Sequence, residues 1–268
     1  MLSKRLIACF DIAKGMVTKA RQFQDNIAIE PAASMAIRMY DAGIDEIVFY
    51  DITASSDKRK IDIDAVRAVA AVVFVPFTVG GGIRHLDDMY DVLKAGAEKI
   101  SIDSMAVRNP SIIRDGAAAF GNQCIVVSTQ VKKTGVRKEI PSGYEVAIDG
   151  ARVMTGLDAV QWAVKAADLG AGEIVVNSID NDGMHSGYDI DITRRIADSV
   201  HVPVIASGGA GNPEHVADVF TKTGASAAII SSLLYSPRLQ KNFSVHEVKT
   251  YLQSRSIHVR PPAESFNL

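Results

Sequence analysis

The sequence has little cysteine, few aromatic rings and almost no surplus charge. Its 2 cysteines, Cys9 and Cys124, sit in apolar strand-like runs without CxxC spacing, which argues for buried free thiols over a disulfide or thiolate metal site. Lys and Arg number 29 against 31 Asp and Glu, a formal net charge of −2. No basic block stands out, so neither a nucleic acid nor an anionic membrane is an expected partner, since both need clustered cations. The most apolar stretch, around Val72 to Phe77, falls far short of the roughly 18 residues of a membrane span. The start, MLSKRLIACFD, lacks a signal-peptide cleavage pattern, so a cytoplasmic protein is expected. His85, His185 and His215 are separated and share no ligand spacing, and the short Asp180-Asn181-Asp182 turn lacks the remaining ligands of a calcium loop, so no metal is expected. What is present suits one large α/β domain or two small ones: 268 residues, 47% hydrophobic, with 20 Gly and 9 Pro.

Four segments of the first half return in the same order in the second. LIACFDIAKG from Leu6 matches IVVSTQVKK from Ile125, and DEIVFYDITAS from Asp45 matches GEIVVNSIDNDG from Gly172. VPFTVGGGI from Val75 matches VPVIASGGAG from Val202, and AEKISIDS from Ala97 matches ASAAIISS from Ala225. Each is a short Val/Ile/Ala-rich run bounded by turn residues, the pattern of a parallel strand buried on both faces. Helix-like stretches alternate with them: Ala32 to Ala42, Ile63 to Val73, Leu86 to Ala95, Pro110 to Phe120, Leu157 to Leu169, Ile190 to Val200, Glu214 to Thr223 and Val245 to Arg255. Eight strand–helix units predict a closed (β/α)8 TIM barrel with a two-fold half-barrel repeat over residues 1–260, the halves meeting near 123, and a short tail over 261–268. An open dinucleotide-binding sheet would need a GxGxxG turn after its first strand, and FDIAKG is not one. One insertion, residues 131–156, breaks the symmetry in this reading: Tyr144, Val146 and Ile148 alternate before Asp149-Gly150, which predicts a hairpin over the barrel mouth.

Barrel active sites gather at the C-terminal strand ends. Here those ends offer Asp11, Asp51, Gly80 to Gly82, Asp103, Gln130, Asp180 and Asp182, Ser207 to Gly209, and Ser231 with Ser232. Gly208 and Gly209 of SGGAG, with the ISS run that follows the last strand, suit a phosphate, since backbone N–H groups and hydroxyls converge at a short helix start. The symmetric VGGGI and SIDS pair has Asp103 where the second half has Ser231, and a carboxylate there repels a phosphate. At the other end, Arg5, Glu46, Lys99 and Glu173 interrupt four strand starts and can close a ring of ion pairs across the barrel floor.

These segments, with SIDNDGMHSGYD and a C-terminal VHEVKTYLQSRSIHVR, closely resemble the cyclase subunit of imidazole glycerol phosphate synthase from Met1 to about Arg260. The resemblance implies a glutaminase subunit docked on the barrel's bottom, whose ammonia passes a charged gate and reacts with a phosphorylated ribulosyl aminoimidazole at the top, without a cofactor. It makes Asp11 a catalytic acid or base and makes Arg5, Glu46, Lys99 and Glu173 the gate. It makes Lys19 a substrate-loop lysine. Asp182, Gly183, Gly209, Ser231 and Ser232 fall on one phosphate site, and Gly82 with Ser104 on the other.

The departures lie on the substrate side. Gln130 stands where the family has its second catalytic aspartate, Asp103 replaces an asparagine, and Asn177 a threonine. The loop after the first strand, MVTKARQFQDNIAIEP, carries Ile27, Ala28 and Ile29 in place of a polar segment. An amide cannot exchange a proton near neutral pH, although it can bind a neutral group through its donors and acceptor. The expectation is therefore a synthase subunit that still receives ammonia but passes it to another acceptor, as relatives do in surface polysaccharide pathways, where the acetamido group of a nucleotide-linked sugar becomes acetamidino. A third, amidotransferase protein would then hold the acceptor. The alternatives are the histidine-pathway cyclase itself and a noncatalytic conduit that activates a glutaminase; the related sugar isomerase has no use for the gate.

Overall fold

The computed structural model describes residues 2–21, 24–54, 59–236 and 239–261, without the side chains of residues 19–21 and 24–26. The first half runs β1 (Arg5–Ala13), β2 (Met16–Arg21), β3 (Gln24–Pro31), α1 (Ala32–Asp41), β4 (Glu46–Asp51), α2 (Ile63–Ala70), β5 (Phe77–Gly80), α3 (Leu86–Lys94), β6 (Lys99–Ile102), α4 (Ser104–Arg108) and α5 (Ser111–Phe120). The second runs β7 (Ile125–Lys133), β8 (Tyr144–Ile148), β9 (Val153–Asp158), α6 (Ala159–Asp168), β10 (Glu173–Ser178), α7 (Ile190–Ser199), β11 (Val204–Ser207), α8 (Pro213–Lys222), β12 (Ala227–Ile229), α9 (Ser231–Tyr235) and α10 (Val245–Ser254). Strands β1, β4, β5, β6, β7, β10, β11 and β12 pair in that order, and β12 returns to β1 with Arg5 beside Ala227. The eight parallel strands thus form a closed (β/α)8 barrel, which leaves none of these eight with a free edge.

The hairpin after the fifth barrel strand does not break the symmetry. The first half carries a counterpart, because β2 pairs antiparallel with β1 and with β3 in the segment that the sequence reads as a loop. Its strands were hidden because Val17 and Thr18 are both buried, so burial does not alternate there, and no Asn-Gly or Asp-Gly dipeptide announces a turn. In the second hairpin Asp149, Gly150 and Ala151 take left-handed φ values of 58°, 65° and 65°, a reversal that Asp and Gly favour. Strand β8 is buried at all 5 positions, so it is covered on both faces. Helix α6 begins at Ala159 rather than Leu157 because β9 runs on to Asp158, whose side chain caps the helix by accepting from the N–H groups of Val160 and Gln161.

Alternation along the strands divides the core in two. On β1, Leu6, Ala8, Phe10 and Ile12 face outward into the layer shared with the helices, which also holds Trp162. Ile7 and Cys9 face inward and pack with Val48, Val126, Val175, Ile205, Ala227 and Ile229 in the barrel interior. Cys124 lies in a short 3-10 turn and is only half-buried, so the expectation of two buried thiols holds for Cys9 alone. Among the described residues, no helix is long and apolar enough to cross a membrane.

One buried clasp joins the last helix to the barrel. The Lys249 ammonium is fully buried and donates to Gly43 O and Asp45 Oδ1, each at 2.7 Å. Asp45 also accepts from Leu6 N at 2.9 Å and from Arg260 Nε at 2.9 Å. Burial lowers the Lys249 pKa, and the Asp45 carboxylate opposes that shift. Removing one partner of a buried pair strands the other charge, so Asp45→Ala is expected to lose about 3 kcal/mol of unfolding free energy. Guanidinium denaturation checks this, and a loss under about 0.5 kcal/mol, the range of ordinary surface changes, would contradict it.

Candidate active site

The floor of the barrel is a closed cycle of ion pairs. Arg5 reaches Glu46 Oε2 and Glu173 Oε1, each at 2.7 Å. Lys99 Nζ reaches Glu46 Oε1 at 3.0 Å and Glu173 Oε2 at 2.9 Å. Each carboxylate bridges both cations, and Thr78 Oγ1 adds a 3.1 Å hydrogen bond to Glu46, which is wholly buried. Burial opposes the Arg5 charge, but Glu173 and Glu46 outweigh it and raise its pKa above the usual value. A ring in which every charge has two partners meets the condition for tolerating buried ions, since desolvation is offset only where geometry and hydrogen bonding are complete.

Inward-facing positions lead from this floor to the mouth two residues at a time. On β1 the series is Arg5, Ile7, Cys9 and Asp11; on β6 it is Lys99 and Ser101, ending at Asp103. Midway, Tyr50 and Ser101 share a 3.0 Å hydrogen bond, and burial pushes the Tyr50 hydroxyl well above its ordinary range, so it stays neutral. Sequence reasoning passed over this pair because neither side chain is charged, although both lie in the repeated segments.

At the mouth, two of the departures of the sequence turn out to be one interaction. Gln130 Nε2 donates to Asp103 Oδ2 at 2.5 Å. Gln130 is 7% exposed, and its Oε1 is buried without a hydrogen-bond partner among the described residues. Asp103 is raised to about 7, first by loss of solvent, with the Gln130 hydrogen bond opposing and the Asp149 charge adding to the rise. Loss of solvent thus favours the neutral acid, against the reading of Asp103 as a fixed repelling charge. The tip of the second hairpin fastens beside it: Asp149 N donates to Ser104 Oγ at 2.9 Å, and Arg108 pairs with Asp149. Sequence reasoning singled out neither Arg108 nor Asp149 for the site.

The remaining mouth residues fall on both sides of the barrel. Asp11 is half-buried; its carbonyl accepts from Thr18 Oγ1 at 3.0 Å, which ties β2 to β1. Lys19 lies on β2 opposite Ile27, and its side chain is outside the described residues. Asp51 accepts from Ala54 N and from both terminal nitrogens of Arg59, so it caps the turn beside Gly82. Across the mouth, Gly187 N donates to Gly209 O at 2.8 Å, and Asn181 Nδ2 donates to Gly187 O at 2.7 Å. This joins the turn of Gly208 and Gly209 to the loop carrying Asp182 and Gly183. Gly209 has φ 103°, and a Cβ there would stand 2.0 Å from Gly187 O, so only glycine fits. Ser231 Oγ is turned into the wall, accepting from Cys9 N at 2.6 Å, while Tyr235 donates to Cys9 O. Ser232 is the more open hydroxyl of the two.

A family model described as Histidine biosynthesis protein matches residues 5–240. The chain is 52% identical over 260 residues, 97% of its length and 99% of the relative's, to imidazole glycerol phosphate synthase subunit HisF of Desulforapulum autotrophicum. The subunit of the same name from Syntrophobacter fumaroxidans matches to the same extent. That of Nitratidesulfovibrio vulgaris is 54% identical over 235 residues, 88% of this chain and 91% of the relative.

The raised Asp103 carboxyl makes a stability prediction. An aspartate titrates near 3.9 when unfolded, so a folded value of about 7 favours folding at low pH, and that advantage disappears as pH rises through this window. Asp103→Asn removes the titration, so its stability relative to the unmodified protein is expected to climb between about pH 4 and pH 7 and to level off above. Urea denaturation across this range checks it; a difference independent of pH would contradict it.

Proposed function

Because the chain belongs to the histidine biosynthesis protein family, beside the HisF subunits of imidazole glycerol phosphate synthase, we propose that it is the ammonia-consuming barrel of a glutamine amidotransferase and acts as the cyclase of histidine biosynthesis. A glutaminase subunit docks at the floor, and its ammonia passes the ring of Arg5, Glu46, Lys99 and Glu173 into the interior. The acceptor is the phosphorylated ribulosyl aminoimidazole, with Asp11 as an acid–base group at the mouth. One phosphate lies against Gly208, Gly209 and Ser232, near Asp182 and Gly183; the other lies near Gly82 and Ser104, and Lys19 belongs to the substrate loop. The observation that carries this reading is the joining of the two ends, since the strands β1 and β6 that bring Arg5 and Lys99 to the ring also bring Asp11 and Asp103 to the mouth.

A second reading is favoured by the Gln130–Asp103 pair. It keeps the ammonia path and exchanges the acceptor for the acetamido group of a nucleotide-linked sugar, held with or without a third protein. One experiment separates the two, because free ammonia replaces the glutaminase. With an excess of ammonium salt and the ribulosyl aminoimidazole bisphosphate, the unmodified protein is expected to turn over within the ordinary range of about 1 to 10³ per second. Absence of turnover would overturn the cyclase reading and make nucleotide-linked acetamido sugars the next acceptors to try. Gly209→Ala, which drives a methyl group into Gly187 O, is expected to raise KM about tenfold, the equivalent of about 1.4 kcal/mol of lost binding, with a smaller change in kcat.

A further inference from the structure

The described carboxylates around the mouth are not equivalent. Asp51 is saturated by Arg59 and its own turn. Asp180 accepts from Lys133 N, and Asp149 is held by Arg108. Asp103 has a different environment: among the described residues no cation pairs with it, and its one side-chain hydrogen bond comes from the neutral amide of Gln130. The groups around it are Tyr50 from β4, Gln130 from β7, Arg108 from α4 and Asp149 from the second hairpin. Arg108 is turned to Asp149, and its pull toward the Asp103 carboxylate does not exceed the opposing push of the Asp149 charge. Beside this carboxyl lies the buried Oε1 of Gln130, an acceptor that no donor among the described residues reaches. A buried polar atom left without a partner carries a desolvation cost, and in a mouth open to ligand that cost is removed by a ligand N–H or O–H.

We propose that Asp103 is a catalytic acid–base group of this mouth, positioned by Gln130, and that Gln130 Oε1 accepts a hydrogen bond from the acceptor molecule. The inference deepens the reading that ammonia is consumed here, and the acceptor it requires is a ketone carbonyl, which the ribulosyl group has. As ammonia adds, the N–C bond forms and the carbonyl π pair moves to oxygen. The Asp103 carboxylic proton goes to that oxygen, and the surplus proton on nitrogen goes to the Asp11 carboxylate. When water leaves, Asp11 returns its proton to the hydroxyl as the C–O bond breaks, and the Asp103 carboxylate takes a proton from nitrogen. The carbonyl oxygen has been replaced by N–H, one water is released, and both carboxyls are back in their starting states. The folded value of about 7 gives Asp103 both protonation forms near neutrality, as a group that donates and recovers a proton requires.

The test uses the unmodified protein, Asp103→Asn and Gln130→Met with ammonium salt and the ribulosyl aminoimidazole bisphosphate, each followed as kcat and KM against pH. Asp103→Asn is expected to lower kcat about 10² to 10⁴-fold, to change KM less than about threefold, and to abolish the fall in rate above about pH 7. Gln130→Met removes the hydrogen bond that favours the carboxylate, so it moves that fall to higher pH. An Asp103→Asn variant that keeps its kcat, or keeps the limb, overturns the proposal. If the unmodified protein gives no turnover, the cyclase reading fails and the inference, which rests on it, falls with it.

Discussion

Closure of a parallel barrel forces every second side chain of a strand inward, and the rest of this molecule depends on that constraint. Arg5 and Asp11 are six residues apart on one strand, so they face the same interior from its opposite ends. The same arithmetic places Lys99 and Asp103 on one inner face, and Glu173 and Asn177 on another. Charges that would be intolerable singly meet at the floor as a cycle, with Glu46 wholly buried between Arg5 and Lys99. Above them Ile7, Val48, Val126 and Val175 keep the interior apolar. The chemistry then resumes one pleat higher, where the strands end and the loops begin.

The two ends use polar groups in opposite ways. At the floor every carboxylate oxygen is taken, which leaves rigid, fully compensated charge. At the mouth, satisfaction is incomplete: Gln130 gives one hydrogen bond to Asp103, and its oxygen has none among the described residues. A folded protein that leaves a buried acceptor open beside a carboxyl of intermediate acidity is less stable there than it need be, a sign of a site shaped for a ligand. The glycine turn on the far wall belongs to the same logic, since Gly209 packs its backbone against Gly187 where any side chain would collide.

Much of this was legible in the sequence because it is local or repeated. Four matched segments gave the barrel, and the periodic charges at strand starts gave the residues of the ring. The first hairpin was not legible, since buried Val17 and Thr18 disguise its alternation and no turn dipeptide marks it. The Gln130–Asp103 bond was not legible either. The two residues are 27 apart in the chain, and only the stagger of β6 against β7, with Ile102 beside Val127, brings them together. Taken singly, one looked like a lost acid and the other like a misplaced charge. Ser231 shows the converse, a hydroxyl correctly located at the end of β12 whose oxygen braces Cys9.

The most direct test of the account is a crystal structure of the protein with a phosphorylated imidazole ribotide soaked into the mouth. The account predicts a phosphate against Gly208, Gly209 and Ser232, with a ligand donor within hydrogen-bond reach of Gln130 Oε1 and the Asp103 carboxyl on the same side of the ligand. A ligand seated elsewhere, or one bound at the mouth that leaves Gln130 and Asp103 untouched, would contradict it.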